Sequence, residues 1–199
     1  MGLISPCFIV LTICSASSIG RYKRENVELG VIFSFPAAGQ TKIANFDPMQ
    51  QLNFPNYSFR FKNSENKIAA FDEIRKKFVI LTPEEWVRLH TVQFLKREKS
   101  YPLSLINVEK QLKIGKMLKR YDVVVFNPEG EIHIIVECKA PEVPITQATF
   151  DQIARYNMRL RANYLLVTNG LDHFICQMDY EKEKYIFLRD LPSYTGKAT

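Results

Sequence analysis

Two runs rich in Val and Ile, Tyr121–Phe126 and Ile132–Cys138, flank the turn-forming sequence Asn127-Pro128-Glu129-Gly130. Runs of this kind spell strands, and turn chemistry between them makes an antiparallel hairpin the short connection. The rest of the chain has to be arranged around that hairpin. Before it, Leu105–Leu112 reads as a third strand. Earlier still, Thr82-Pro83-Glu84-Glu85 is a helix start, with Thr as cap, Pro at the first helical position and Glu85 three residues after the cap; the helix is predicted to run to about Lys99. After the hairpin, Phe150, Ile153, Ala154 and Met158 recur at helical spacing and predict a helix over 145–160. The buried-type strand Tyr164–Thr168, the turn Asn169-Gly170 and two short strands, His173–Met178 and Lys184–Leu188, complete the pattern. The order of helix, three strands, helix and strand is that of an α/β (α+β) fold on a central mixed sheet. An amino-terminal hairpin, Tyr57–Phe61 with Ile68–Phe71, precedes it, followed by a basic patch at Arg75, Lys76 and Lys77.

Upstream, Leu3–Ala16 is apolar but short for a membrane span, and Arg21, Lys23 and Arg24 follow it where an export signal would carry its charges in front. Gly30–Gln51 has no sustained period. The expected organisation is therefore 1–48 as a leader or linker outside the working domain, 49–194 as one domain starting at Met49, and 195–199 as a tail. Cys7, Cys14, Cys138 and Cys176 form no C-x-x-C pair, which argues against a zinc site and a disulfide framework and for a reducing, cytoplasmic setting with no membrane. The excess of 27 Lys and Arg over 21 Asp and Glu favours a polyanionic partner such as nucleic acid.

The chemistry gathers on the hairpin. Asp122 opens its first predicted strand, while Glu137 and Lys139 end the second, two apart and so on one face. Pairing brings the two carboxylates together, and with the backbone carbonyl of Cys138 they present hard oxygen ligands suited to Mg²⁺, with Mn²⁺ as a substitute. Lys139 would act electrostatically on a scissile phosphate, so the expected reaction is phosphodiester hydrolysis. Lys119, Arg120, Arg155 and Arg159 are candidate phosphate contacts on either side.

Tyr121-Asp122 and Glu137-Cys138-Lys139, set on this element order, resemble the PD-(D/E)XK nuclease superfamily. From Met49 to Tyr194, with LNFPNYSFRFK, FDEIRKKFVILTPEEWVR, VECKAP, FDQIARYN and LLVTNG, the chain resembles the amino-terminal nuclease domain of the restriction subunit of type I restriction enzymes, in its compact stand-alone bacterial form. The resemblance implies a restriction-endonuclease-like core and a Mg²⁺-dependent DNA endonuclease that works with a motor or specificity subunit. It places the metal-site acids and lysine on Asp122, Glu137 and Lys139, and a Q-x-x-x-Y motif on Gln152 and Tyr156. It also asks for an acid early in the first helix, matched by Glu84 because Glu85 is engaged in capping. Tyr121 stands where the superfamily name expects Pro, and no G-x-x-x-x-G-K-[ST] loop is present, so this chain carries no ATP site of that kind. A homodimer suits the cutting of two strands. The competing readings are a non-catalytic nucleic-acid-binding protein of the same fold and a structure-specific DNA repair or RNA nuclease using the same site.

Other conspicuous residues have simpler roles. Glu109 and Lys110 read as the solvent face of the first strand, with Glu109 also able to approach the metal from the adjacent strand, and Tyr57, Phe59, Phe61 and Trp86 as core or hairpin packing. His90, His133 and His173 are expected to be structural, and Cys138 to be buried without a nucleophilic role.

Overall fold

A computed structural model describes residues 50–64, 67–114 and 117–196. The expectations for the leader before Met49 lie outside these residues. The strands are β1 (Phe61–Ser64), β2 (Lys67–Asp72), β3 (Lys77–Ile80), β4 (Ile106–Ile114), β5 (Met117–Phe126), β6 (Ile132–Cys138), β7 (Tyr164–Thr168), β8 (His173–Asp179) and β9 (Lys184–Leu188). The helices are α1 (Pro83–Gln93), widened into a π-helical turn over Phe94–Glu98, and α2 (Gln147–Leu160).

Strands β4 to β9 form one six-stranded sheet in sequential order. Every neighbouring pair is antiparallel except β6 with β7, which is parallel because α2 carries the chain back to the end of the sheet at which β6 begins. Helices cover both faces. On one, Val87, Val92 and Leu95 of the first helix and its π-helical turn pack with Val123, Val125, Ile134, Val136 and Leu166. On the other, Phe150, Ile153 and Ala154 of α2 pack with Val124, Ile135, Leu165 and Val167. Burial on both faces accounts for the nearly unbroken apolar runs of β6 and β7. The fold is thus the mixed-sheet α/β architecture expected from the sequence.

The amino-terminal region differs from its expected hairpin. Strand pairing begins only at Phe61, and a third strand, β3, joins β1 and β2 in a separate sheet. The basic patch is also not simply solvated. Arg75 is mostly buried against Asp72, whose Oδ1 accepts from the backbone N–H groups of Ile74 and Arg75 and so closes the turn between β2 and β3.

Phe59 and Phe61 lie over the outer side of α1, with Trp86 5.1 Å and 6.3 Å away between ring centroids. Covered on both sides, α1 buries residues all round, including Arg88, His90 and Gln93. The aromatic segment is packing, as expected. The strand-to-strand turn after β7 is held with it: Asn53 N–H donates to the Gly170 carbonyl at 2.7 Å. Gly170 has φ +85°, and a Cβ there would meet Leu52 Cδ2 at 2.7 Å, so both backbone shape and space require glycine.

All three histidines are held neutral. His90 donates from Nδ1 to the Trp86 carbonyl (3.0 Å) among aromatic rings, and burial pulls its pKa down to about 4. His173 is fixed between the Thr168 hydroxyl at Nδ1 (2.7 Å) and the Asn53 carbonyl at Nε2 (3.0 Å), and burial lowers it too, as it does His133. A folded-state pKa below the unfolded one contributes stability above about pH 6.5 that is lost as the pH falls. Lowering the pH from 7 to 4 is expected to cost roughly 3 kcal/mol through His90 alone, at about 1.4 kcal/mol per pH unit. Urea titrations across that range check this. A His90→Phe variant with the same acid sensitivity would remove His90 as its source.

Candidate active site

Asp122 lies inside β5, not at its opening, because residues 117–121 already pair with β4 although they lack the Val-rich signature. Its register places it opposite Glu137, one step beyond the last paired residues of the hairpin, Val123 and Val136. The Cys138 backbone N–H donates to Asp122 Oδ2 at 2.7 Å, tying the two strands across the site. Lys139 follows the end of β6, but its backbone N–H still donates to the Thr168 carbonyl of β7 at 2.8 Å. Its position is therefore set by the sheet, and its Nζ donates to Glu137 Oε1 at 3.0 Å. The side chains of Asp122, Glu137 and Lys139 are 19%, 15% and 30% exposed, shielded but open to solvent.

Burial, followed by the Glu137 charge and the weaker Glu84 charge, raises the Asp122 pKa to about 6 against the opposing Cys138 N–H and Arg88. Burial alone would lower the Lys139 pKa, but the negative charges of Glu137, Asp122 and Glu84 outweigh it and hold the ammonium protonated. Cys138 is buried, and burial first, then Asp122, pushes its thiol well above the usual range, so it stays a neutral thiol.

Glu84 is exposed at the first turn of α1, within electrostatic reach of Asp122 and Lys139. Glu85 is excluded from the site for a different reason than capping. Thr82 Oγ1 accepts only the Glu85 backbone N–H, at 3.1 Å, while the Glu85 carboxylate is enclosed by Arg75 and Arg88.

Those guanidinium groups belong to a network missed at the sequence level. Glu109 is not on a plain solvent face: its carboxylate meets Arg75 Nη1 at 2.9 Å, Arg88 Nη1 at 3.4 Å and Arg120 Nη1 at 3.8 Å. Arg88 Nη1 in turn lies 4.0 Å from Asp122 Oδ1. The Glu85–Arg88 spacing of three on a helix was a visible signal. The left-handed backbone of Glu109 (φ +51°), opposite Asp122 in the β4–β5 register, was not.

Gln152, Arg155 and Arg159 are exposed on α2, and among the described residues no hydrogen bond or ion pair joins Gln152 to Asp122, Glu137 or Lys139. The side chain of Tyr156 lies outside the described residues. Arg120 is exposed, whereas Lys119 is half-buried with its ammonium 4.7 Å from the centre of the Tyr121 ring.

A mixed sheet between two helices, with Asp122 inside β5 set opposite Glu137 near the end of β6, defines an α/β protein. Residues 83–192, more than half the chain, match the family of the type I restriction enzyme R protein N terminus. The chain belongs to that family. It is also similar to a fragment structure assigned to an HsdR subunit of a type I restriction enzyme from Vibrio vulnificus YJ016, with 21% identity and a TM-score of 0.41. That match covers 57% of this chain and 24% of the other, so the chain spans about a quarter of that relative. No curated protein matches the sequence. Among the described residues, no helix is long and apolar enough to cross a membrane.

Proposed function

We propose that the chain is a Mg²⁺-dependent DNA endonuclease domain of the PD-(D/E)XK type, built around Asp122, Glu137 and Lys139. The observation that carries this reading is the pair of half-buried carboxylates held opposite each other with Lys139 on Glu137. Burial and the neighbouring Glu137 charge raise the cost of ionising Asp122, and a cation relieves it.

The donor set fits Mg²⁺. Among the described residues no group of three His, Cys, Asp and Glu side chains is gathered to hold a metal, but Mg²⁺ needs only one or two carboxylates, keeping its other positions for water and phosphate. Asp122 through Oδ1, Glu137 and the Cys138 carbonyl would hold it, with Mn²⁺ as a substitute. When bound, the ion supplies Lewis acidity toward a phosphate oxygen. Lys139, kept protonated by the surrounding acids, stabilises negative charge on the phosphate and orients water through its remaining N–H donors. Glu84, at the solvent margin, adds negative potential that favours the cation. Gln152, Tyr156, Arg155 and Arg159 on α2 would engage the substrate backbone. A motor or specificity subunit, and a second copy of the chain, are the proposed partners, and a reducing cytoplasm the proposed setting.

Metal binding should depend on pH. Asp122 is protonated below about pH 6 in the fold, so Mg²⁺ must displace its proton there. Affinity is expected to fall by up to about tenfold per pH unit below 6, with proton release on binding. Calorimetry at pH 7.5 and 5.5 in buffers of different ionisation enthalpy reads both quantities. The function itself is tested by incubating plasmid, linear and single-stranded DNA, and RNA, with and without Mg²⁺. Metal-independent binding with no cleavage would favour the non-catalytic reading, and cleavage confined to RNA or branched DNA would favour the other nuclease classes.

A further inference from the structure

The β4–β5 pair outruns the rest of its sheet. The two strands pair from Ile106 with Val125 to Ile114 with Met117, but β5 pairs with β6 only over Val123–Phe126, and β4 is the sheet edge. From Lys110 and Tyr121 outward, the two strands form a ribbon that pairs with no other strand among the described residues, five residue pairs long, or roughly 17 Å at about 3.4 Å per residue.

The charge of this ribbon has one sign. Residues 110–121 contain Lys110, Lys113, Lys116, Lys119 and Arg120 and no Asp or Glu. A surface ribbon shaped by solubility alone would ordinarily mix signs. Its two faces also differ. Leu112 and Tyr121 turn back onto the α2-side core, with Lys119 on the Tyr121 ring. Gln111, Lys113, Leu118 and Arg120, which pair across the strands as Gln111 with Arg120 and Lys113 with Leu118, are all exposed, Leu118 at 69%. This face leads to the acids through Arg120, 3.8 Å from Glu109, and Arg88, which bridges Glu109 and Asp122. Glu109 also holds Arg75 and Arg88, so Arg120 can leave it for a phosphate without stranding the carboxylate.

We propose that this ribbon is a duplex-DNA arm that lies in the major groove and sets the register of the backbone over Asp122 and Glu137. The inference rests on the nuclease reading for its target. The major groove, about 12 Å wide, admits a two-stranded ribbon. Lys113 and Arg120 contact phosphates, Gln111 faces base edges, and Leu118 makes apolar contact in the groove. The exposed face carries no aromatic ring, so it lacks the stacking platform that single-strand binders use.

The test is fluorescence anisotropy of the full chain with a labelled 24-base-pair duplex in EDTA, over about 50–200 mM salt. Lys113→Gln/Arg120→Gln is expected to weaken binding at least about tenfold at low salt and to reduce the salt slope by about 2, since each phosphate that is no longer neutralised lowers the slope by about 0.9. Leu118→Ala is expected to weaken binding with the slope unchanged, and Lys182→Gln/Lys184→Gln, in the β8–β9 turn and at the start of β9, to leave both unchanged. An unchanged slope in the ribbon variant, no duplex binding by the wild type, or tighter binding of single strands or RNA through the same residues overturns the proposal. Because binding is read without metal, the two readings fail separately. Ribbon-dependent duplex binding with no Mg²⁺-dependent cleavage sinks the nuclease alone, whereas cleavage with ribbon-independent binding sinks the arm alone.

Discussion

Glu137→Ala, Asp122→Asn and Lys139→Ala are each expected to reduce Mg²⁺-dependent DNA cleavage by about 10²–10³-fold or more, roughly 3–4 kcal/mol of transition-state stabilisation. The fold should survive. Asn at 122 keeps an acceptor for the Cys138 N–H that now donates at 2.7 Å, and loss of the Glu137 charge removes a repulsion that raises the Asp122 pKa. Lys139 is held by its backbone bond to Thr168, which the side-chain change leaves in place. DNA affinity without metal should move differently: removing a carboxylate deletes negative charge where a phosphate must sit, so affinity holds or rises, while Lys139→Ala weakens it slightly. Plasmid nicking, Mg²⁺ calorimetry and thermal melts on the same preparations separate these effects. If the wild type binds no divalent ion and the three variants match it in every assay, the assignment fails.

Two adjacent glutamates should give opposite phenotypes. Glu85→Ala is expected to cost about 3–5 kcal/mol of stability, because it leaves the mostly buried Arg75 and Arg88 without the carboxylate between them. Contacts of both arginines to Glu109 place the loss toward the lower end of that range. Glu84→Ala, at an exposed position, should change stability by less than about 0.5 kcal/mol. Its effect should fall on Mg²⁺ affinity and cleavage, since Glu84 acts electrostatically on Asp122 and Lys139. Urea denaturation alongside a cleavage assay reads both. Equal stability losses at the two positions would show that Glu84 also serves packing.

Much of the central architecture was legible because its signals are local. Val and Ile runs around Asn127-Pro128-Glu129-Gly130 define β5 and β6, Thr82-Pro83 starts α1, and strict two-residue spacing sets Glu137 and Lys139 on one face. Asp122 and Glu137 could be expected to meet because a hairpin register is a short-range property. Similarity to known proteins then supplies the family, which spacing alone could not.

Other features depended on contacts distant in sequence. Nothing local says that Arg75, in a run of basic residues, turns inward past Asp72 to reach Glu85 and Glu109. The position of Glu109 in the left-handed region is likewise invisible, since non-glycine residues rarely adopt it and here it interrupts the β4–β5 pairing while its carboxylate is held by Arg75 and Arg88. The outer reach of β5 was missed because Lys119 and Arg120 interrupt the apolar alternation, yet pairing with β4 extends the strand regardless. Local sequence thus determined which strands and helices form and which acids face one another. The tertiary structure decided which charges are buried, which glutamate of the Glu84-Glu85 pair is left for the site, and that a basic ribbon extends past the sheet, because burial and the ion pairs that gather on Glu109 are set by elements far apart in the chain.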